Sequence, residues 1–441
     1  MHPVFFTRCD ECYKLNTEDY PMATYAKKAK LFKAVLLSVL TISFSVNAEQ
    51  TLTIERAVQT ALERDALINV YQSQSDAYRE QAIEEDTLPD PKVKFGFLNF
   101  PTDTFSRNQE PMTQVKLGVQ QMFPRGNSLE VKSQRAMSMS MAEQAKTENQ
   151  RRKITQEVRE TWLELFYWLK AKEVVTKNRN LFSKLVSVTK QQYAAGRQKQ
   201  QDVIRSELEL GMLDDRELKI ETKLEVTRAK LAKYIGDDFL MSKLTSILPQ
   251  FNITQNNASW IENHPMINME DAMVRAKEKN VDLAKQSYKP SWMLDLSYGQ
   301  REDDGATGKS RPDFVTAMVV FDLPLFTADK QDKKVAASKY RLNSALNARE
   351  ERKRNLSRMW ESNLSKENRL SQRIKKYKDL LIPKAIENTK AALYSYQSGR
   401  GEFTSLMRAQ IIELETQLRA LRLNVDHKKT QAQLLYFVGE V

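Results

Sequence analysis

Apolar and polar side chains alternate with a period of two in three short stretches. In KVKFGFLNF (92–100), Val93, Phe95 and Phe97 alternate with Lys92, Lys94 and Gly96. In TQVKLGVQQMF (113–123), Val115, Leu117 and Val119 alternate with Gln114, Lys116, Gly118 and Gln120. WMLDLSYG (292–299) sets Trp292, Leu294, Leu296 and Tyr298 against Asp295, Ser297 and Gly299, whereas a fourth stretch, DFVTAMVVF (313–321), is apolar on both faces. These patterns predict strands over about 92–100, 113–123, 292–300 and 313–322, each about as long as a tilted strand that crosses a bilayer.

Most of the remaining chain reads as helix. Residues 127–193 contain neither Gly nor Pro, and a helix of that length is a rod of about 100 Å. A second rod, from about 328 to 398, contains Pro383, which removes one hydrogen bond and bends the helix locally. After it, Ile411, Leu414, Leu418, Leu421 and Val425 recur at spacings of three and four, a seam that requires a neighbouring helix. His264-Pro265 reads as a helix start.

The two rods belong to two copies of one plan. Tyr193 to Val203 (YAAGRQKQQDV) is echoed 203 residues later by YQSGRGEFTSL, and the same offset relates Phe123 to Phe326, Arg205 to Arg408, and Tyr234-Ile235-Gly236 to Phe437-Val438-Gly439. Earlier in each copy the offset is 199: Ile68-Asn69 matches Ile267-Asn268, and Pro91 matches Pro290. The difference falls between the strands, where loops absorb insertions. The expected organisation is therefore a leader (1–48), a first repeat (49–245) and a second repeat (246–441). Each repeat runs helix, strand pair, long helix, Gly-Arg turn, returning helix.

The leader adds export to this picture. Lys27, Lys28, Lys30 and Lys33 precede the apolar run AVLLSVLTISF (34–44), and Val46 and Ala48 are small residues placed for cleavage after Ala48, the pattern of a secretory signal peptide. Met22 is an alternative start. Cys9 and Cys12 are lost on cleavage, which leaves no cysteine to carry a lipid anchor. The excess of Lys and Arg is interleaved with acidic residues, as in REERKRNLSR (349–358), so it reads as solvated helix faces rather than a nucleic-acid surface.

Alternation alone fits a small soluble sheet as well as a membrane one. Export, the lysines on the polar face and the polar hairpin loops favour a water-filled barrel in lipid. Four strands cannot close such a barrel, and an open edge in hydrocarbon is prohibitive, so the chain must oligomerise. No catalytic set, nucleotide loop or cofactor motif is present. Met137, Met139 and Met141 offer soft thioethers, but on a helix only the first and last share a face, and ordinary packing explains them. His264 and His427 have no ligand-spaced partner, so no metal site is expected.

The duplicated order, QQMFPRGN (120–127), FDLPLFTADK (321–330), YKPSW (288–292) and the two Tyr-x-x-Gly-Arg turns together resemble the TolC-like outer-membrane efflux factor family across the mature chain. The resemblance implies a mainly helical homotrimer. Its duplicated hairpins form an α-barrel across the periplasm, and its four strands per chain form a twelve-stranded β-barrel in outer-membrane lipid. It implies a passive, non-enzymatic exit duct of a tripartite efflux system, with a periplasmic adaptor and an inner-membrane resistance-nodulation-division pump as partners. Gly196, Arg197, Gly399 and Arg400 then sit at adaptor-docking tips. The family's acidic gate is not reproduced, since Asp202 and Arg205 face Ser405 and Arg408 in the matching positions, and an Arg408-to-carboxylate latch is expected instead. YKPSWMLDLSYGQR resembles the heavy-metal branch. A drug or organic-solute duct and a soluble periplasmic coiled-coil adaptor are the alternatives.

Overall fold

The computed structural model describes residues 51–237, 243–252 and 260–439. The signal-peptide reading at 27–48 and the Cys9/Cys12 pair lie outside the described residues. The described chain is mainly helical with one four-stranded antiparallel sheet.

The first repeat begins with two helices, α1 (Ile54–Arg64) and α2 (Ala66–Glu85), where the sequence pattern suggests one. Asp65 makes the break: its backbone is extended, its N–H closes α1 on the Ala61 carbonyl, and its carboxylate accepts the Ile68 N–H at 2.9 Å to start α2. The counterpart 199 residues on is His264, whose Nδ1 accepts the Met266 N–H at 3.2 Å and starts α5 (Pro265–Gln286), with Pro265 in the first turn. One N-cap position is thus filled by two different acceptor side chains.

The strands are β1 (Lys92–Leu98), β2 (Gln114–Phe123), β3 (Ser291–Gln300) and β4 (Phe314–Asp322), joined in the order β1-β2-β3-β4. β1 stops two residues earlier than the alternation suggests because Asn99 turns into the left-handed region, with φ +54°. The junction between the repeats is β2 against β3, where Phe123 stacks on its register partner Trp292 with centroids 3.9 Å apart.

The long helix α3 (Ser128–Ala194) runs 67 residues without interruption and buries 21 of them. Trp162 lies at its centre, fully buried, with Nε1 donating to the Leu52 carbonyl at 3.1 Å. The chain returns along α4 (Gln200–Ile235). In the second repeat the rod is divided into α6 (Gln331–Lys376) and α7 (Ile382–Gln397) by a π-helical turn, and α8 (Phe403–Val438) returns. Pro383 has no N–H for the helical ladder, and the wider turn ahead of it closes on an Ile382 N–H to Tyr377 carbonyl bond instead.

Helices continue the strands. α2, α3, α5 and α6 pack side by side in the order of the strands they adjoin, and further along the molecule α4, α3, α8 and the α6–α7 rod do the same. The predicted seam on α8 is realised: Leu414, Leu418 and Val425 are buried, and Ile411 and Leu421 pack against the same core. No helix among the described residues is long and apolar enough to cross a membrane.

Candidate functional site

The two Gly-Arg turns have the same geometry. Gly196 and Gly399 have φ of +73° and +72°. In the first turn the Gly196 N–H bonds to the Tyr193 carbonyl at 2.9 Å and the Arg197 N–H to the Gln192 carbonyl at 2.8 Å. In the second, Gly399 bonds to Tyr396 at 3.1 Å and Arg400 to Ser395 at 3.0 Å. This double closure satisfies the last carbonyls of a helix and demands a left-handed residue at its centre. A Cβ on either glycine would meet nothing within 4 Å, so within one chain these glycines serve backbone conformation and not close packing.

Identical turns have different surroundings. Tyr396 is half-buried against the first hairpin: its hydroxyl donates to Gln192 Oε1 at 2.8 Å, accepts from Gln198 Nε2 at 3.3 Å, and its ring lies 5.7 Å from that of buried Phe403. Burial pushes the Tyr396 hydroxyl above the ordinary tyrosine range, and the nearby Asp202 carboxylate adds to the effect. Its repeat mate Tyr193 is 46% exposed. The same contrast runs along the returning helices. Phe403, Leu406 and Met407 of α8 are buried, whereas the matching end of α4 exposes Ile204, Leu208 and Met212, a stripe at spacings of four.

Arg197, Arg400, Ser405 and Arg408 are exposed, and Asp202 and Arg205 are half-buried. The Asp202 N–H joins the first turn of α4 by bonding to the Lys199 carbonyl at 3.1 Å, and the Ser405 N–H bonds to the Glu402 carbonyl at 3.1 Å. Among the described residues, none of Arg197, Arg205, Arg400 and Arg408 forms an ion pair within the chain. The turns are therefore brought together through Tyr396, Gln192 and Gln198, not through the charged positions that the sequence singles out. The repeated tyrosine was the only signal for this contact, and the glutamines carried none.

At the other end, the sheet separates two chemistries. One face carries Val93, Phe95 and Phe97 of β1, Leu117 of β2, Leu296 of β3 and Val319 of β4. Val93, Phe95 and Phe97 are 73%, 66% and 65% exposed, so this apolar face is bare. The opposite face carries Lys94, Lys116, Gln120, Asp295 and Thr316, with Lys94 ion-paired to buried Asp295. Met122 and Met293 are register partners on that face, and Met318 stands opposite Asp295. Among the described residues β1 pairs with β2 alone and β4 with β3 alone, which leaves a free edge on each side. The two hairpin loops are tied to each other: Arg311 donates to the Asn108 carbonyl at 3.2 Å, Arg301 to the Pro111 carbonyl at 2.9 Å, and Arg107 pairs with Glu302 at 3.1 Å.

His264 is fully buried among Trp260, Tyr436 and Phe437, and burial, with the Arg152 charge nearby, lowers its pKa to about 4. His427 bonds to Glu367 at 2.9 Å. No group of three or more His, Cys, Asp or Glu side chains placed to hold a metal occurs among the described residues. Met137 and Met141 are exposed on one face of α3, and the Arg275 guanidinium lies 4.0 Å from the Met141 sulfur.

Neither a family model nor a curated protein matches the chain by sequence. Solved structures do match in fold. A membrane protein from Pseudomonas aeruginosa superposes with a TM-score of 0.75 at 17% identity, covering 89% of this chain and 94% of its own. The outer membrane protein VceC from Vibrio cholerae gives 0.74 at 16% identity over 88% and 96% of the two chains. The open state of the Neisseria gonorrhoeae outer membrane channel MtrE gives 0.74 at 16% identity, with 88% of each chain covered. The chain therefore shares the fold of these three membrane proteins over nearly nine tenths of its length.

Proposed function

We propose that the protein is a TolC-like outer-membrane exit duct, a homotrimer that passively conducts solute across the outer membrane of a Gram-negative bacterium. The observation that carries this reading is the sheet. It bares an apolar face, keeps a polar face, and ends in two unpaired edges that a single chain cannot satisfy in hydrocarbon. The α4 stripe of Ile204, Leu208 and Met212 supports the same closure at the level of the helices, since it needs a neighbour that the described residues of the chain do not supply. Three copies give twelve strands.

In this assembly the Gly196-Arg197 and Gly399-Arg400 turns are the tips that receive a periplasmic adaptor, which in turn connects to an inner-membrane resistance-nodulation-division pump. Exposed guanidiniums suit the carbonyls and carboxylates of such a partner. Among the described residues Arg408 has no acidic partner; in the trimer it takes its carboxylate from a neighbouring subunit and latches the tip. Replacing Arg408 with alanine and finding unchanged leakage of drugs or metals counts against the latch.

The cargo is proposed to be heavy-metal cations, on the strength of YKPSWMLDLSYGQR and of the thioethers Met122 and Met293, paired on the polar face of the sheet. The test is a deletion strain, fractionated and challenged with copper, silver, zinc, cobalt, cadmium and a panel of drugs. Heat-modifiable trimers in the outer-membrane fraction and selective metal sensitivity are expected. Drug sensitivity without metal sensitivity transfers the cargo to organic solutes, and recovery with soluble periplasmic proteins overturns the duct.

A further inference from the structure

Between α4 and α8, with α3 beneath them, lies a groove that encloses about 680 Å³. Its floor is aromatic: Tyr167 and Trp168 meet edge to face with centroids 4.8 Å apart, and Leu418 extends the apolar surface. Its rim is cationic, with Arg216, Lys219 and Lys223 on α4 and Arg419 and Arg422 on α8. Among the described residues Glu415 is the one carboxylate that lines it.

Three of these cations already have partners. Arg216 pairs with Glu415, Lys219 with Asp215 at 2.5 Å, and Arg422 with Glu164 at 2.9 Å and Asp426 at 3.0 Å. The Arg422 guanidinium also lies 4.9 Å over the Tyr167 ring. Lys223 and Arg419, on opposite walls, have no acidic partner within the chain among the described residues, and both side chains are exposed.

These features restrict the occupant. A cation is repelled by the rim. A small inorganic anion leaves the aromatic floor unused, and an uncharged apolar molecule strips water from two unpaired charges without replacing it. A flat or aliphatic body bearing a carboxylate, sulfate or sulfonate satisfies both surfaces, because the charge-assisted hydrogen bonds and the aromatic contact act on different ends of one molecule. We propose that this groove binds an amphipathic organic anion, one per chain. The stoichiometry follows from the duplication. Arg216 and Lys219 recur 203 residues later as Arg419 and Arg422, but Tyr167 and Trp168 recur as Leu370 and Ser371, so the basic pair is repeated and the aromatic floor is not.

The test uses purified protein in nonionic detergent and equilibrium dialysis against naphthalene-2-sulfonate, with protein-free micelles as the blank and 2-naphthyl-trimethylammonium as the cationic comparison. Saturable uptake of the sulfonate near one per chain is expected, with little uptake of the ammonium compound. The exposed double variant Lys223→Ala, Arg419→Ala should weaken binding by about tenfold or more, and Trp168→Leu should weaken it independently. Non-saturating uptake, equal binding of the cation, wild-type affinity in the double variant, or full displacement by equimolar inorganic sulfate would each overturn the proposal. Binding is read on isolated protein, so the result does not depend on what the duct exports.

Discussion

The Tyr396 hydroxyl donates a 2.8 Å hydrogen bond to Gln192 Oε1, tying the end of the second hairpin to the end of the first within one chain. Its repeat mate Tyr193 is exposed and makes no such bond among the described residues, so the duplicated turns are fastened there at one tyrosine of the two. Tyr396→Phe keeps the ring against Phe403 and removes only the tie, at about 1 kcal/mol. Single-channel recordings in planar bilayers should show a larger open fraction for Tyr396→Phe and no change for Tyr193→Phe.

The tip glycines test backbone conformation in isolation. At φ near +70° with open space around the missing Cβ, Gly196→Ala and Gly399→Ala should each cost about 1 kcal/mol through strain alone. Asparagine, which tolerates the left-handed region, should cost less. Thermal unfolding followed by circular dichroism distinguishes the two substitutions.

Assembly should depend on the bare stripe of α4. Leu208 is 56% exposed in the single chain, and Leu208→Glu places a charge where a neighbour must cover an apolar surface. The expected outcome is loss of the trimer band on unheated gels, with helical content retained.

His264 should make stability fall in mild acid. Its folded pKa of about 4 lies below the usual 6.5, so the stability from its neutral form is fully present above pH 6.5 and is lost as pH falls toward 4, on the order of 3 kcal/mol in total. Burial is the cause, since Trp260, Tyr436 and Phe437 surround the ring and Arg152 is the nearby charge. Urea unfolding between pH 4 and 7 should show this slope in the native protein and a flatter profile in His264→Asn, which keeps an N-cap acceptor but does not titrate.

The strands, the rods and the turns were legible because each rests on a local rule. Period-two alternation marks β1 to β3, the absence of Gly and Pro between 127 and 193 marks α3, and Gly196 and Gly399 mark turns that need positive φ. The expectation of partner copies comes from the sequence too, because counting strands against the smallest closed barrel uses no coordinates. What the sequence could not indicate was which equivalent positions would cease to be equivalent. Arg205 and Arg408, or Tyr193 and Tyr396, are interchangeable by pattern, yet α8 lies inside the array and α4 at its edge. That difference is set by which helices become neighbours across two hundred residues. It decided that Tyr396 ties the tips, that the α4 stripe is bare, and that two separately encoded basic pairs meet over one aromatic floor.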